Sequence, residues 1–507
     1  MRALPRPTAP TLGDVVAGLS VVLALIPQGL AYAELAGMPS RYGLVAGTIP
    51  PIAAALFVSS PYLQTGPTAL SSLLVAGALA HIAIPGTADY IEAAALLALM
   101  VGVIRIAFGL LRMGISAYLV SQPVLVGFTT SAAILIIGSQ LPNIVGAGSD
   151  RDRVLVRAYD VLTHPDGWNW EAIAVAGFTY GLIVLLRKIH RVFPSVLVGV
   201  GATWLAAEML DLEVARVGSF ESGWIELHTS FPLGEFSHLL VPAFVIALIG
   251  FAEPASIART FAAAERKPWS ANREFVSQGV ANVAAAFSGG YPVGGSFGRS
   301  GLNYRAGADT AWSGAITGMA MLALLPFAGV FETIPKAALA AVVVSAVSSL
   351  LDFPRLFAVA RRSLPQFATA LATMAGTMLF DPRIDRGIIL GVVLAVIVHL
   401  WRELPIHIDH SYEAPILSVA PRGVLWFGSV NRMVEVALQI VADHPEATHL
   451  EIDLSGVGRL DTTAAGELGE FAREIRESGM NVEFVGIPPH AQRLRAALHE
   501  PLGDGDD

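Results

Sequence analysis

Long apolar stretches recur along residues 1–408, with polar residues gathered in the intervals between them. Most stretches have about 17–22 residues, the length of a helix that crosses a hydrocarbon core about 30 Å thick. The pattern predicts fourteen segments, of which the third and the tenth look irregular. They are residues 13–33, 42–58, 67–84, 91–111, 118–141, 171–187, 192–209, 239–258, 275–288, 295–306, 311–328, 333–351, 363–380 and 385–401.

Residues 409–507 follow another pattern, in which short strand-like runs alternate with helical spacing. The predicted strands are Ile416–Ala420, Val424–Phe427, Leu450–Leu454 and Val482–Ile487. The predicted helices are Asn431–Ala442, Thr462–Ser478 with Asp461 as N-cap, and His490–Leu498. We therefore predict a small α/β domain after a boundary near Pro405–His410.

Composition supports this division. Hydrophobic residues make up 54% of the chain and charged residues only 14%, whereas soluble domains carry about 25% charged residues. Residues 1–408 contain 25 basic and 24 acidic side chains, and residues 409–507 contain 7 and 17. The net charge of −9 disfavours a nucleic-acid partner, and the absence of cysteine excludes thiolate metal sites and disulfides.

An even number of spans places both termini on one side of the membrane, and the basic residues indicate that this side is the cytoplasm. Those assigned to inner loops are Arg187, Lys188, Arg191, Arg259, Arg266, Lys267, Arg273, Arg355, Arg361 and Arg362. Arg2 and Arg6 precede the first apolar run, and Ala31-Tyr32-Ala33 imitates a signal cleavage site. Because thirteen further segments follow and Pro27-Gln28 interrupts the run, we expect an ordinary first span in a plasma (inner) membrane protein.

Fourteen segments divide as seven plus seven, and an odd repeat enters the membrane from opposite faces. Ala24-Leu25-Ile26 in the first segment matches Ala247-Leu248-Ile249 in the eighth. The third and tenth segments open with Gly66-Pro67-Thr68 and Gly294-Gly295-Ser296. These similarities predict an inverted repeat, which is a transporter architecture.

Two segments break where an anion site could form. Residues 289–301 contain six glycines and a proline, and such backbone at membrane depth must be buried in protein or line a cavity. We predict a half-helix that begins near Gly295–Ser296 and a second one in the segment Tyr62–Ala69, where Pro67 suits the first helical position. Two half-helix N-termini contribute about +0.5 charge each and Arg299 adds one, giving a nominal charge of about +2.

Glu253 is the other charged residue in an apolar run, and we expect it to take up the proton that accompanies an anion. The alternatives are a permanent Glu253–Arg299 ion pair, or an Arg299 that extends to the interface. Gln28 and Tyr32 could contact the anion or satisfy backbone freed by Pro27. Arg105 and Asp309 are expected at interfaces or in packing pairs.

Enzyme signals are weak. Gly294-Gly295-Ser296-Phe297-Gly298 matches the G-x-S-x-G elbow, but Pro292 precedes it and no histidine lies nearby in a triad context. There is no Walker A, H-E-x-x-H or G-x-G-x-x-G motif. We expect no enzyme, no cofactor and no metal.

At these residues the chain resembles the sulfate permease (solute carrier 26) family. One group of matching residues runs from Asp14 to Ala76, through residues 26–33, 36–39, 42–44 and 66–69. Others are residues 121–128, 253–259 and 295–300, and the tail around Asp453 and Asp461 resembles a STAS domain.

The resemblance implies fourteen segments in a 7+7 inverted repeat, with a core domain (segments 1–4 and 8–11), a gate domain (segments 5–7 and 12–14) and a cytoplasmic STAS domain at 409–507. It implies a homodimer that moves small anions such as sulfate, bicarbonate or a dicarboxylate by an elevator motion. It also implies a substrate site matching Gln28, Tyr32, Thr68, Ala69, Glu253 and residues 296–299. Sodium-coupled bicarbonate members lack the tenth-segment arginine, and Arg299 would repel Na⁺, so proton symport is favoured.

Four functions stay open at this point. The first is a proton-coupled secondary anion transporter, and the second is an uncoupled exchanger or channel of the same fold. The third, a nucleobase carrier, would need carboxylates in the tenth segment. The fourth is a membrane-tethered signalling protein whose output is the tail.

Overall fold

The computed structural model describes residues 9–118, 120–189, 193–219 and 223–499. The chain divides into two compact units, Met1–Val393 and Leu394–Asp507. Arg2, Arg6 and Arg191, which entered the topology argument, lie outside the described residues. So do the first residues of the predicted domain 1–408 and the last residues of the predicted domain 409–507.

The first unit is built from helices and one short two-stranded ladder. Its helices are α1 Leu12–Leu35, α2 Arg41–Val45, α3 Ile49–Ala55, α4 Ala69–Leu79, α5 Ala88–Leu110, α6 Gln122–Val145, α7 Val154–Thr163, α8 Trp170–Ile189, α9 Ser195–Met209, α10 Phe236–Ala264, α11 Ala271–Phe287, α12 Phe297–Arg305, α13 Trp312–Leu324, α14 Lys336–Val347, α15 Phe353–Arg362, α16 Leu364–Leu379 and α17 Ile384–Glu403. Strand β1, Thr65–Gly66, pairs with β2, Gly294–Gly295. The division between the units falls inside α17.

Among the described residues, eight helical stretches are long and apolar enough to cross a membrane. They are Leu12–Leu35, Ala88–Leu110, Gln122–Val145, Trp170–Ile189, Leu233–Ala264, Trp312–Phe331, Lys336–Arg362 and Ile384–Glu403. The segment predicted over 42–58 is not one continuous helix, because the chain forms the short helices α2 and α3 there. A turn from Ala46 to Thr48 separates them, and Pro50 and Pro51 open α3.

Local sequence explains several helix ends. Thr11 and Asp14 form a capping box at the start of α1, and Thr87 caps α5 through the Tyr90 N–H. Gly146 ends α6 in the left-handed conformation, at φ 68°.

Helices α5 and α11 approach closely, because a Cβ on Gly102 would lie 2.8 Å from the Gly279 carbonyl oxygen. Small residues at such contacts allow backbones to approach in a membrane bundle.

The second unit carries an α/β sheet with its own buried core. Its strands are β3 His407–Glu413, β4 Ile416–Leu425, β5 His449–Asp453, β6 Val457–Leu460 and β7 Asn481–Val485, and its helices are α18 Val430–Ala442, α19 Thr462–Glu477 and α20 Arg495–His499. The order is β3-β4-β5-β7 with β6 also on β4, and only the β3–β4 pair is antiparallel. The core comprises side chains such as Leu417, Ile452, Leu468 and Phe471.

Two sequence predictions for this unit are wrong in detail. The strands predicted at Ile416–Ala420 and Val424–Phe427 form a single strand, β4, because Pro421 and Arg422 pair with β3 and the register shifts only at Gly423. This strand ends at Leu425, so residues 426 and 427 lie outside it. Strands β3 and β6 were not predicted, since β3 is mostly polar and β6 has only four residues. The Asp461 cap is confirmed, with Oδ1 accepting from the Ala464 N–H at 2.8 Å.

Candidate functional site

Short helices begin at both sequence breaks, and the residues before them pair with each other. Thr65 lies opposite Gly295 and Gly66 opposite Gly294 in an antiparallel ladder. Because the strands run in opposite directions, α4 and α12 leave the ladder at opposite ends. The N-termini of α4 and α12 therefore both lie next to the crossing, the place where the extended strands β1 and β2 pair.

Buried polar side chains hold this crossing together. The Ser296 N–H donates to the Gln64 carbonyl at 3.2 Å, and the Gln64 N–H donates to Ser300 Oγ at 2.9 Å. From α11, Gln278 Nε2 donates to Thr65 Oγ1 at 2.8 Å. Asn282 both donates to the Val293 carbonyl and accepts from the Val293 N–H, each at 3.0 Å. Extended backbone inside the bundle is thus hydrogen-bonded as its burial requires.

The two helix starts are capped differently. Thr68 caps α4 with its own hydroxyl, which accepts from the Ser71 N–H at 3.2 Å. Ser296 supplies no side-chain cap to α12. Instead Glu253 Oε1, from α10, accepts from the Phe297 N–H at 3.4 Å. A carboxylate here is also favoured by the positive end of the helix dipole.

Arg299 lies in the first turn of α12 and is 1% exposed. Its Nη1 donates to Gln28 Oε1 at 3.4 Å, whereas Nε and Nη2 have no hydrogen-bond partner in the described part of the chain. A Cβ on Gly66 would lie 3.4 Å from Nη2, so the guanidinium stands beside β1. Within residues 9–118 and 223–499, Glu253 and Arg299 form no ion pair within 4.0 Å.

A cavity of about 570 Å³ opens at these two helix starts. Eight of the nine predicted site residues line it: Gln28, Tyr32, Thr68, Ala69, Glu253, Ser296, Phe297 and Arg299. Gly295 is buried in the ladder and does not line the cavity. A Cβ at Gly295 would lie 2.6 Å from Leu63 Cδ1 and 3.3 Å from Pro254 Cα, so this glycine permits the close packing of β2.

Two further arginines line the cavity, Arg187 from the end of α8 and Arg305 from the end of α12. Sequence reasoning assigned Arg187 to a cytoplasmic loop and did not single out Arg305. No local signal pointed to either residue, because a spacing of six residues does not place Arg305 on the same helix face as Arg299. The charged residues of the lining are three arginines and Glu253, which is chemistry suited to an anion.

Arg105 and Asp309 differ from each other. Arg105 is wholly buried and donates to three backbone carbonyls, so of the two expected environments it has the packed one and does not lie at an interface. Asp309 is exposed and accepts from Thr11 Oγ1 at 3.2 Å.

Among the described residues, no group of three or more histidine, aspartate or glutamate side chains could hold a metal ion.

The fold and the cavity define a helical membrane protein with a transporter fold and a C-terminal STAS-like α/β unit. Residues 12–373 match the sulfate permease family, and residues 406–499 match the STAS domain of the Mlab type. The chain belongs to the sulfate permease family, as its sequence motifs indicated.

Named relatives agree with this membership. The chain is 33% identical over 401 residues to the chloroplastic sulfate transporter 4.1 of Arabidopsis thaliana, covering 76% of this chain. It is 28% identical over 517 residues to the sodium-independent sulfate anion transporter of Bos taurus, covering 94% of this chain and 83% of the relative. The match spans 58% of the first relative's length and 59% of a second Arabidopsis relative. All three are named as transporters, in agreement with the prediction that the chain is not an enzyme.

Solved structures show the same fold. Murine solute carrier 26 member A9, an anion transporter in the inward-facing state, superposes with a TM-score of 0.88 at 18% identity, covering 96% of this chain and 87% of that chain. The transmembrane domain of a cyanobacterial bicarbonate transporter, BicA, gives 0.65 at 22% identity, covering 76% and 97%.

Proposed function

We propose that the protein is a secondary active transporter of small anions that couples anion movement to protons. One observation carries this proposal. Arg299 is buried at the first turn of α12 with two nitrogens unpartnered in the described structure, and it borders the cavity. A buried, incompletely bonded guanidinium at membrane depth is costly unless it serves a ligand or a pathway.

Several donors surround the same space. The first-turn N–H groups of Ala69, Leu70, Gly298 and Arg299 have no intrahelical acceptor, and all four residues line the cavity. Helix N-termini with free N–H groups bind anions. Gln28 and Tyr32 add an amide and a hydroxyl from α1. This donor set fits a small oxyanion and repels Na⁺.

Glu253 supplies the coupling. Its carboxylate bonds the first N–H group of α12, which is the helix end where an anion would sit. Carboxylate and anion repel each other there, and protonation of Glu253 removes that repulsion. Proton binding and anion binding therefore favour each other, and such coupling is reciprocal.

The substrate class follows from the charge and from the relatives. Relatives of this chain are named as sulfate transporters, and one structural neighbour as a bicarbonate transporter. A nominal charge of about +2 suits sulfate, a dicarboxylate or bicarbonate, with sulfate first. No nucleic acid is involved.

The finer architecture belongs to the same proposal. Fourteen segments form a 7+7 inverted repeat within residues 1–408, with a core of segments 1–4 and 8–11 and a gate of segments 5–7 and 12–14. The core moves against the gate like an elevator, and the protein is a homodimer in the plasma (inner) membrane. Both termini and the STAS domain at 409–507 are cytoplasmic.

The test is uptake by purified protein in liposomes. The panel contains radiolabelled sulfate, bicarbonate, chloride, fumarate and succinate, each with and without a pH gradient. Arg299→Ala should reduce saturable uptake at least about tenfold, because hydrogen bonds to charged groups contribute about 1.5–3 kcal/mol each.

Arg386→Ala is the matched control, because Arg386 is exposed on α17 and does not line the cavity. Its uptake should equal that of the unmodified chain. Full uptake by Arg299→Ala would refute the site. Saturable uptake that ignores the pH gradient would favour an uncoupled exchanger, and non-saturating flux would favour a channel.

A further inference from the structure

Arg105 is a second buried guanidinium, and it lies outside the cavity lining. It sits within α5 and has no solvent exposure. Its three hydrogen bonds all go to backbone carbonyls: Nε to Ala247 at 3.2 Å, Nη2 to Ile246 at 3.0 Å, and Nη1 to Val293 at 3.1 Å. Across the part of the chain that the structure describes, no carboxylate pairs with it within 4.0 Å.

These three carbonyls belong to the two segments of the chain that lead to Glu253 and to Arg299, the charged residues of the proposed anion site. Ile246 and Ala247 lie on α10, two turns before Glu253. Val293 immediately precedes β2, which leads into α12 and Arg299. The Arg105 side chain thus hydrogen-bonds both to the helix that carries Glu253 and to the segment that leads to Arg299.

The local sequence makes room for the guanidinium. A Cβ on Gly250 would lie 2.8 Å from Arg105 Nη2, so the glycine lets the side chain reach α10. Arginine remains charged in proteins, and here only carbonyl dipoles offset that charge. Arg105 contacts Val293, which is separated from the N-cap Ser296 of α12 only by the two residues of β2. Because no carboxylate in the described structure cancels its charge, Arg105 adds to the positive potential near the start of α12.

We propose that Arg105 is a positioning and specificity-determining residue, which fixes α12 against α10 and favours doubly charged over singly charged anions. This inference rests on the proposed anion transport. Coulomb energy scales with the charge of the ligand. Removing the charge of Arg105 should therefore raise the KM of both anions, but unequally. The factor for a divalent anion should be about the square of the factor for a monovalent anion.

A structural role alone predicts something else. If Arg105 only held the backbone in position, its replacement would raise the KM of both anions by similar factors. Asn282 gives a matched comparison, because it also holds the Val293 peptide through two hydrogen bonds but carries no charge. Asn282→Ala should lower uptake of both anions while leaving their KM ratio unchanged.

The experiment measures the KM of the transported anion and the inhibition constant of a competing anion of the other charge. Sulfate and bicarbonate are the probes, and the chains are the unmodified protein, Arg105→Gln, Arg105→Met and Asn282→Ala in liposomes. Two neutral variants are used so that a folded one is available, as judged by size-exclusion profile and melting temperature.

The expected result is that a folded neutral Arg105 variant loses at least about threefold in preference for sulfate over bicarbonate, whereas Asn282→Ala does not. An unchanged preference in a folded Arg105 variant would overturn the inference. Failure of the unmodified chain to take up either anion would instead count against the proposed function, so the two failures are distinguishable.

Discussion

At the scale of single residues, Glu253 and Arg299 have different hydrogen-bond partners at the start of α12. Glu253 accepts the Phe297 N–H, while Arg299 reaches Gln28 on α1 and keeps two nitrogens unpartnered among the described residues. Their positions show no direct ion pair between them within the described structure. The permanent pair considered from the sequence is therefore not present, which leaves the carboxylate available for a proton.

The residue-scale prediction concerns Glu253→Gln. The amide oxygen can still accept the Phe297 N–H, but the side chain no longer ionises. Anion uptake should persist, and the proton flux that accompanies it should fall to background. The measurement is internal pH, followed with a trapped dye during sulfate uptake.

Glu235→Gln is the control, since Glu235 pairs with His238 at an exposed site at the N-cap of α10, far from Glu253 along the chain. It should leave proton flux intact. Unchanged proton movement in Glu253→Gln would remove the coupling role from this residue.

At the scale of elements, the crossing of β1 and β2 sets the geometry of the site. Two residues of each strand pair, and each strand ends two or three residues before a helix begins. Glycine permits this because β2 lies against Leu63 and Pro254 with no space for a side chain. The irregular backbone thus has a packing reason in addition to the function proposed for it.

The element-scale prediction is that Gly295→Ala destabilises the protein by about 1–3 kcal/mol, the usual cost of overpacking. Gly298→Ala is the matched control, because a Cβ there meets nothing within 4 Å. The melting temperature in detergent should fall for the first variant and stay equal or rise for the second. Equal melting temperatures for both would show that the ladder tolerates a methyl group.

At the scale of the whole molecule, each unit has its own core. The cavity is lined by residues between Ala24 and Leu350, all in the first unit, and the α/β unit buries a separate apolar cluster. The machinery proposed for transport therefore needs no side chain from the tail.

Truncation after Pro405 should accordingly leave saturable sulfate uptake within about twofold of the full chain, because independent sites contribute additively. The full chain in the same vesicles is the comparison. A folded truncated protein without uptake would instead assign the tail an essential part in transport.

The sequence by itself determined what depends on local pattern. Apolar length marked the membrane helices, and glycine with proline marked the starts of α4 and α12, because these residues restrict backbone conformation wherever they occur. The rarity of charge in apolar runs marked Glu253 and Arg299. Asp461 was recognised as a cap because its partner lies three residues away.

Only the tertiary structure decided which distant parts meet. Thr65 and Gly295 are paired across more than half of the first unit, and no local periodicity reports such a contact. Arg187 lines the cavity, and Arg105 donates to three carbonyls on two other segments of the chain. These contacts also join residues that are distant in sequence, so no local pattern reports them. Periodicity records how buried a position is, whereas hydrogen-bond partners and cavity walls depend on how separate helices pack.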